Sequence, residues 1–305
     1  MNERFPDFLI IGGMKCGSTT LYRDLATHPR VFFPIDKEPD NLIDDAVLSG
    51  VGRGEYAEMF ASASSDQLCA EASTSYTKRP KADGTATRAK AICGGDLRVI
   101  YVVREPIARV SSHHHHEHIE GLLPADLEDA VRDHPSLVDY TRYAYQVEPW
   151  IAAFGADHVR VIRFEDFTSA RAETTGSLQA WLGLDPRPHL VQADQVFNKS
   201  EGKPVMTGGW QRVRNNPVYD KLVRPLLSQG IKDRLRGTLL PKAKSERQPP
   251  RPETAERILD AVAEDHEQLR EIMGLDGPVW DRDESLAKAR KKFDAWQSAA
   301  AVAHR

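Results

Sequence analysis

The chain has 305 residues, 40% of them hydrophobic and 28% charged, with 41 Lys and Arg against 45 Asp and Glu for a net charge of −4. Such a chain buries a core without metal or disulfide staples, which excludes global disorder, and its acidic balance excludes a general nucleic-acid coat. In chain order, residues 8–11 form a short apolar run that predicts a buried strand ending at Gly12-Gly13. The run is too short for a signal-peptide core or a membrane span. Ser18-Thr19-Thr20 then offers N-cap chemistry to a helix carrying Leu21, Tyr22 and Leu25 at helical spacing, stopped at His28-Pro29. Residues 31–33 predict a second strand, followed by a polar loop over 36–45. Residues 97–103, β-branched and aromatic, are the strongest strand signal and end at Arg104-Glu105-Pro106. Pro106 suits the first turn of a helix. Helical spacing covers 140–154, a third strong strand 159–164, and a further helix 170–182. From about residue 185 strands vanish, a helix covers 253–273, and residues 284–305 form a basic, Ala-rich helix.

Apolar strands alternating with helices predict an α/β fold: one domain over 1–283 with a parallel sheet flanked by helices, and 284–305 appended. No later run reaches the roughly 18 apolar residues of a membrane span. The three cysteines (Cys16, Cys69, Cys93) match neither a zinc pattern nor a disulfide framework. The expectation is a cytoplasmic protein without nucleic-acid partners or stable membrane insertion.

Two segments carry chemistry. The first is Gly12-Gly13-Met14-Lys15-Cys16-Gly17-Ser18-Thr19-Thr20. Glycines let the backbone approach a ligand closely, a helix start offers free N–H groups to an anion, and Lys15 adds a point charge. It is not a Walker A sequence, because the lysine precedes the second glycine by two residues instead of following it. The second segment begins at Arg104, at the carboxyl end of the strongest strand, where open α/β sheets bind ligands. Ser112, eight residues on, completes a clamp with Arg104 for a further phosphate.

Both segments resemble those of sulfotransferases that use 3′-phosphoadenosine 5′-phosphosulfate (PAPS), in the branch of bacterial small-molecule and heparan-sulfate-type carbohydrate enzymes. Residues 10–22 are similar to that family's 5′-phosphosulfate loop, and residues 102–112 to its 3′-phosphate signature. Lys37-Glu38-Pro39 resembles its Lys-Glu-Pro-His segment, Glu71-Ala72-Ser73-Thr74-Ser75-Tyr76 its Glu-Ala-Ser-Pro-x-Tyr segment, and residues 143–184 its late strand and closing helix. The resemblance spans roughly 6–282. Asp40-Asn41-Leu42 replaces the family's His and two aromatics, so the acceptor side differs.

The resemblance implies PAPS as cofactor with no metal required, and a P-loop-like sulfotransferase fold. It implies cofactor binding by Lys15, Cys16, Gly17, Ser18, Thr19, Thr20, Arg104 and Ser112, with Lys242, Lys244 and Arg247 on a basic loop over the nucleotide. It implies Glu38 as the general base and Lys15 as the group that stabilises the leaving phosphate. The acceptor is expected to be a hydroxyl on a small metabolite, glycan or lipid, with Asp40, Tyr76, His113 and Trp210 as candidate lining residues and a homodimer left open. The run His113-His114-His115-His116 with His118 places two imidazoles at i, i+4 but no third ligand, so it is expected as a polar helix face. Two other readings stay open: an ATP-dependent small-molecule kinase, which should carry Lys directly before Ser18, and a non-catalytic nucleotide-binding protein.

Overall fold

In the computed structural model, residues 3–34, 37–193 and 247–303 are described. The strands are β1 (Phe8–Gly12), β2 (Val31–Phe32), β3 (Leu68–Ala72), β4 (Arg98–Val103) and β5 (Val159–Arg163). The helices up to residue 181 are α1 (Ser18–Leu25), α2 (Gly50–Glu58), α3 (Thr85–Cys93), α4 (Pro106–Ile119), α5 (Leu127–Asp133), α6 (Ser136–Asp139), α7 (Tyr143–Phe154), α8 (Phe164–Ser169) and α9 (Arg171–Trp181). Two longer helices follow, Pro252–Ile272 and Arg282–Ala303. No helix among the described residues is long and apolar enough to cross a membrane.

Contacts divide the chain into two compact units. One is Met1–Arg109 with Val138–Asn198 and Ile258–Ser285; the other is Val110–Leu137 with Lys199–Arg257 and Leu286–Arg305. The first holds the sheet, five strands in the order β2-β3-β1-β4-β5 with every pair parallel. That is the α/β architecture expected, with helices flanking the sheet. All five residues of β1 are buried, as its continuous apolar sequence requires. β5 lies at the edge and is only half-buried, which explains its mixed sequence Val-Arg-Val-Ile-Arg. β3 was not placed by the sequence signals, because Leu-Cys-Ala-Glu-Ala lacks β-branched and aromatic residues.

The order of strands decides where a ligand sits. The chain leaves β1 towards β2 and β3 on one side, and leaves β4 towards β5 on the other. The crevice between the carboxyl ends of β1 and β4 is therefore the topological switch point, the usual ligand position in open parallel sheets. Both segments singled out in the sequence emerge there. Helix α1, which follows β1, is fixed to α9 by a buried bidentate pair in which Arg171 Nε and Nη2 each donate to the Asp24 carboxylate at 2.6 Å.

In the second unit, Asp126 caps α5 by accepting from the Glu128 and Asp129 N–H groups at 2.8 and 3.1 Å. The Gln248 side chain accepts from Leu127 N at 3.0 Å, and Glu128 accepts from Arg251 N at 2.8 Å.

Candidate active site at the switch point

The loop after β1 is shaped by close approach. A Cβ on Gly12 would lie 2.4 Å from Thr77 Oγ1, and Gly12 has φ +136°. Gly13 N donates to Val102 O at 2.5 Å, which laces the loop to β4. Gly17, at φ +90°, starts α1 with no side-chain cap. This corrects one sequence expectation. Ser18, Thr19 and Thr20 lie inside the first turn and do not cap it, because the left-handed Gly17 takes the N-cap position. The helix start thus keeps its N–H end without a capping side chain, the arrangement that suits an anion.

Arg104 reaches this loop directly. Its Nη1 donates to Lys15 O at 3.0 Å, and its guanidinium lies 4.6 Å above the Phe164 ring. Its Nε is buried with no partner among the described residues. An unpaired buried donor on a permanent cation costs stability, and an anionic ligand at this position would satisfy it. An uncapped helix start, a lysine and a guanidinium donor around a glycine loop fit a phosphorylated ligand such as PAPS.

The Arg104 backbone is held from behind. Tyr143 Oη donates to Arg104 O at 2.6 Å and accepts from Arg104 N at 3.2 Å. Tyr143 stacks on His266 at 5.7 Å and packs against Trp280 at 5.8 Å. Arg142 provides no side-chain cap to α7, and Asp265 caps it instead, accepting from Ala144 N at 3.0 Å and Tyr145 N at 2.8 Å. Glu165 accepts from Glu105 N at 3.0 Å and from Trp280 Nε1 at 3.1 Å. Sequence reading missed Phe164 as an arginine platform and Tyr143, Asp265 and Trp280 as its support. No local spacing links Arg104 to residues that lie between 39 and more than 100 positions further along the chain.

Cys16 is fully buried, with its thiol 3.9 Å from Tyr143 Oη. Burial pushes the thiol up to about 11, outweighing the nearby Arg109 and Arg104 charges, so it stays protonated and inert near neutrality.

Glu38 stands on the loop beside β3. Its N–H donates to Ala72 O at 3.1 Å, and its carboxylate accepts from Thr74 Oγ1 at 3.0 Å and Lys37 Nζ at 2.8 Å. Partial burial pushes this carboxyl up, but the Lys37 ammonium, both hydrogen bonds and the Lys78 charge outweigh it and hold it below the usual glutamate range. Asp40 accepts from Ser75 Oγ at 3.2 Å, while its Oδ1 is buried without a partner among the described residues. Burial, with the neighbouring Glu38 charge, pushes Asp40 up against that hydrogen bond. Both residues have positive φ, 60° and 59°. The structure thus brings the residue 12–18 loop and Arg104 into hydrogen-bonded contact, and fixes the Glu38 loop to β3, the strand beside β1.

Tyr76 is buried, its hydroxyl accepting from Leu42 N at 3.2 Å. In the second unit Ser112 is buried on α4, and His113 Nε2 lies 2.9 Å from Glu117 Oε1. His114 and His118 stack at 6.0 Å, but their bonding nitrogens meet the carbonyls of Pro124 and Leu123, and no metal-type cluster of three ligands occurs among the described residues. Arg247 is exposed. Lys242, Lys244 and Trp210 lie outside the described residues.

An α/β sheet whose switch point carries a phosphate-type loop and an inward arginine defines a protein that binds phosphorylated ligands. A sequence model of the sulfotransferase domain matches residues 5–207, well over half the chain, so the chain belongs to the sulfotransferase family, the PAPS-dependent class its motifs resemble. Comparison with curated protein sequences finds no match. Among solved structures, a sulfotransferase from Alicyclobacillus acidocaldarius superposes with a TM-score of 0.60 at 20% identity, over 90% of this chain and 98% of that one. The sulfotransferase domain of the Synechococcus PCC 7002 olefin synthase gives 0.45 at 15% identity, over 91% and 98%. That of the curacin biosynthetic pathway gives 0.47 at 16% identity, over 64% and 80%.

Proposed function

We propose that this sulfotransferase moves a sulfuryl group from PAPS to a hydroxyl acceptor on a small metabolite, glycan or lipid, with Glu38 as general base. PAPS supplies an activated sulfuryl group attached to a phosphate leaving group. Lys15 and the helix-start amides of Gly17, Ser18 and Thr19 bind the phosphosulfate end and stabilise the charge that develops on the leaving oxygen. Cys16 and Thr20 complete that loop. Arg104 and Ser112 bind the 3′-phosphate. Glu38 takes the acceptor proton on its carboxylate, which its low pKa keeps ionised near neutrality, a step worth about 10²–10⁴-fold. Asp40, Tyr76, His113 and Trp210 are assigned to the acceptor side, and Lys242, Lys244 and Arg247 to the nucleotide. The catalytic domain on this reading is residues 1–283, with 284–305 appended.

The observation that carries the reading is Arg104 at the switch point, bonded to Lys15 O with its buried Nε awaiting an acceptor. Calorimetric titration with adenosine 3′,5′-bisphosphate in EDTA, beside ATP with magnesium, tests it. Tight metal-free binding of the bisphosphate is expected. Preference for magnesium-ATP would replace this reading by a kinase. Glu38→Gln is expected to abolish turnover and spare bisphosphate binding; near-normal turnover would remove Glu38 from the role.

A further inference from the structure

The loop that carries Glu38 is anchored by a polar network that sulfuryl transfer itself does not use. Its centre is Glu71, on β3 and 1% exposed. Its carboxylate accepts from two hydroxyls, Ser73 Oγ at 2.6 Å and Tyr56 Oη, and the Tyr76 hydroxyl lies near enough to feel its pull. Ser73 and Tyr76 each hold the loop. Ser73 Oγ accepts from Asp40 N at 3.4 Å, and Tyr76 Oη accepts from Leu42 N at 3.2 Å.

The direction of every bond follows from the centre. Ser73 and Tyr56 each give their single proton to a Glu71 oxygen. Ser73 is then left with lone pairs alone, which is what the Asp40 N–H group needs, while Tyr76 turns a lone pair to the Leu42 N–H group. Chains of this kind strengthen one another in a low-dielectric interior. The loop needs such anchoring, because Glu38 and Asp40 both hold positive φ, which L-residues adopt only at a cost. We propose that Glu71 is a positioning residue: through its bond to Ser73, and through its pull on the neighbouring Tyr76 hydroxyl, it fixes the backbone at Asp40 and Leu42, and so aims the Glu38 carboxylate. The inference rests on Glu38 being the base. It gives the Glu71–Tyr76 segment a purpose distinct from lining the acceptor site.

Removing one hydroxyl at a time tests it, since Ser73→Ala and Tyr76→Phe change little volume and each cuts one branch. Amide hydrogen exchange is read at Asp40 and Leu42, the Glu38 carboxyl is titrated by carbon-13 NMR, and adenosine 3′,5′-bisphosphate affinity is measured by calorimetry. Tyr76→Phe is expected to speed exchange at Leu42 on the order of tenfold, and Ser73→Ala to do so at Asp40. In both variants the Glu38 titration should rise towards the ordinary glutamate range. The groups facing Glu38 (Lys37, Thr74, Lys78 and Asp40) are unaltered by either substitution, so such a rise reports displacement of the carboxylate. Bisphosphate affinity should stay within about twofold of the parent, because the relay stands on the β3 side. Glu71→Gln, which puts an N–H₂ donor among hydroxyl donors, should loosen both amides; if it does not fold, the two hydroxyl variants still decide. Unchanged exchange at both amides, or a loss of bisphosphate affinity as large as the exchange effect, would overturn the proposal. A Glu38→Gln enzyme that still turns over while the relay variants behave as expected would sink the base assignment and leave the anchoring intact.

Discussion

The hydroxyl of Tyr143 both donates to the carbonyl and accepts from the N–H of one residue, Arg104, at 2.6 and 3.2 Å. A single side chain therefore satisfies the whole peptide face of the residue that points into the switch point. Arg104 follows the last residue of β4, where the ladder ends and its backbone groups would otherwise need water. Tyr143→Phe leaves these groups buried and unsatisfied, at about 1–3 kcal/mol. Adenosine 3′,5′-bisphosphate affinity should fall on the order of tenfold as Arg104 loses its fixed position. Calorimetry checks this, and an unchanged affinity in the folded variant would show that Phe164 and Lys15 hold the guanidinium by themselves.

Gly17 meets the other face of the same construction. A Cβ there would lie 2.8 Å from the Phe164 ring, whose opposite role is to carry the Arg104 guanidinium. At φ +90° an alanine also bears about 1–2 kcal/mol of backbone strain. Gly17→Ala should weaken bisphosphate binding by about tenfold or more. Adding Phe164→Leu should restore only part of that loss, since it relieves the clash but not the strain and removes the arginine platform. Full recovery in the double variant would show that the clash is the whole effect.

These two relationships mark how far the sequence was legible. β1, β4 and β5 announce themselves as apolar runs, and the glycines, Lys15 and Arg104 lie at their ends, where a local pattern suffices. β3 was silent because its small residues and Glu71 carry no strand signal, although that glutamate organises the base loop. The helix start was misread because Ser18-Thr19-Thr20 looks like a cap until the left-handed backbone of Gly17 is known. Tyr143, Phe164, Asp265 and Trp280 lie on α7, at the start of α8, on the helix Pro252–Ile272 and in the segment after it, and they converge only in the fold, which no periodicity encodes.

The Asp24–Arg171 pair offers a stability test away from the chemistry. Its side chains are only 3% and 7% exposed, and both guanidinium bonds are 2.6 Å long. Asp24→Asn leaves a buried guanidinium without its counter-charge and should cost about 3–5 kcal/mol. Replacing both partners, as Asp24→Leu with Arg171→Met, should cost much less, because no charge is stranded. Urea unfolding of the two single variants and the double measures the coupling. Additive losses would mean that the pair does not act as a unit.

His266 supplies a dependence on pH with a definite sign. Its ring stacks on Tyr143, its Nε2 lies 3.3 Å from Thr141 O, and burial pulls its pKa down to about 4. The fold therefore keeps the neutral ring, whose Nε2–H donates to that carbonyl, while the unfolded chain takes a proton near the ordinary value of about 6.5. Above that value the two states bind protons alike and the residue has no pH effect. As pH falls below about 6.5 the unfolded state binds the extra proton, so stability is lost, and the loss levels off near the folded value of about 4. Between pH 7 and pH 5 the loss from this residue should be about 2 kcal/mol. Glu71, Asp40 and Asp265, with carboxyls pushed up chiefly by burial, act in the opposite direction, so total stability blurs the effect. Comparing the parent with His266→Gln isolates it: the variant is expected to lose stability at pH 7 but to show a shallower decline towards pH 5. Parallel pH curves from denaturant unfolding would mean that His266 is protonated as readily in the fold as out of it, and that the ring behind Arg104 is open to water.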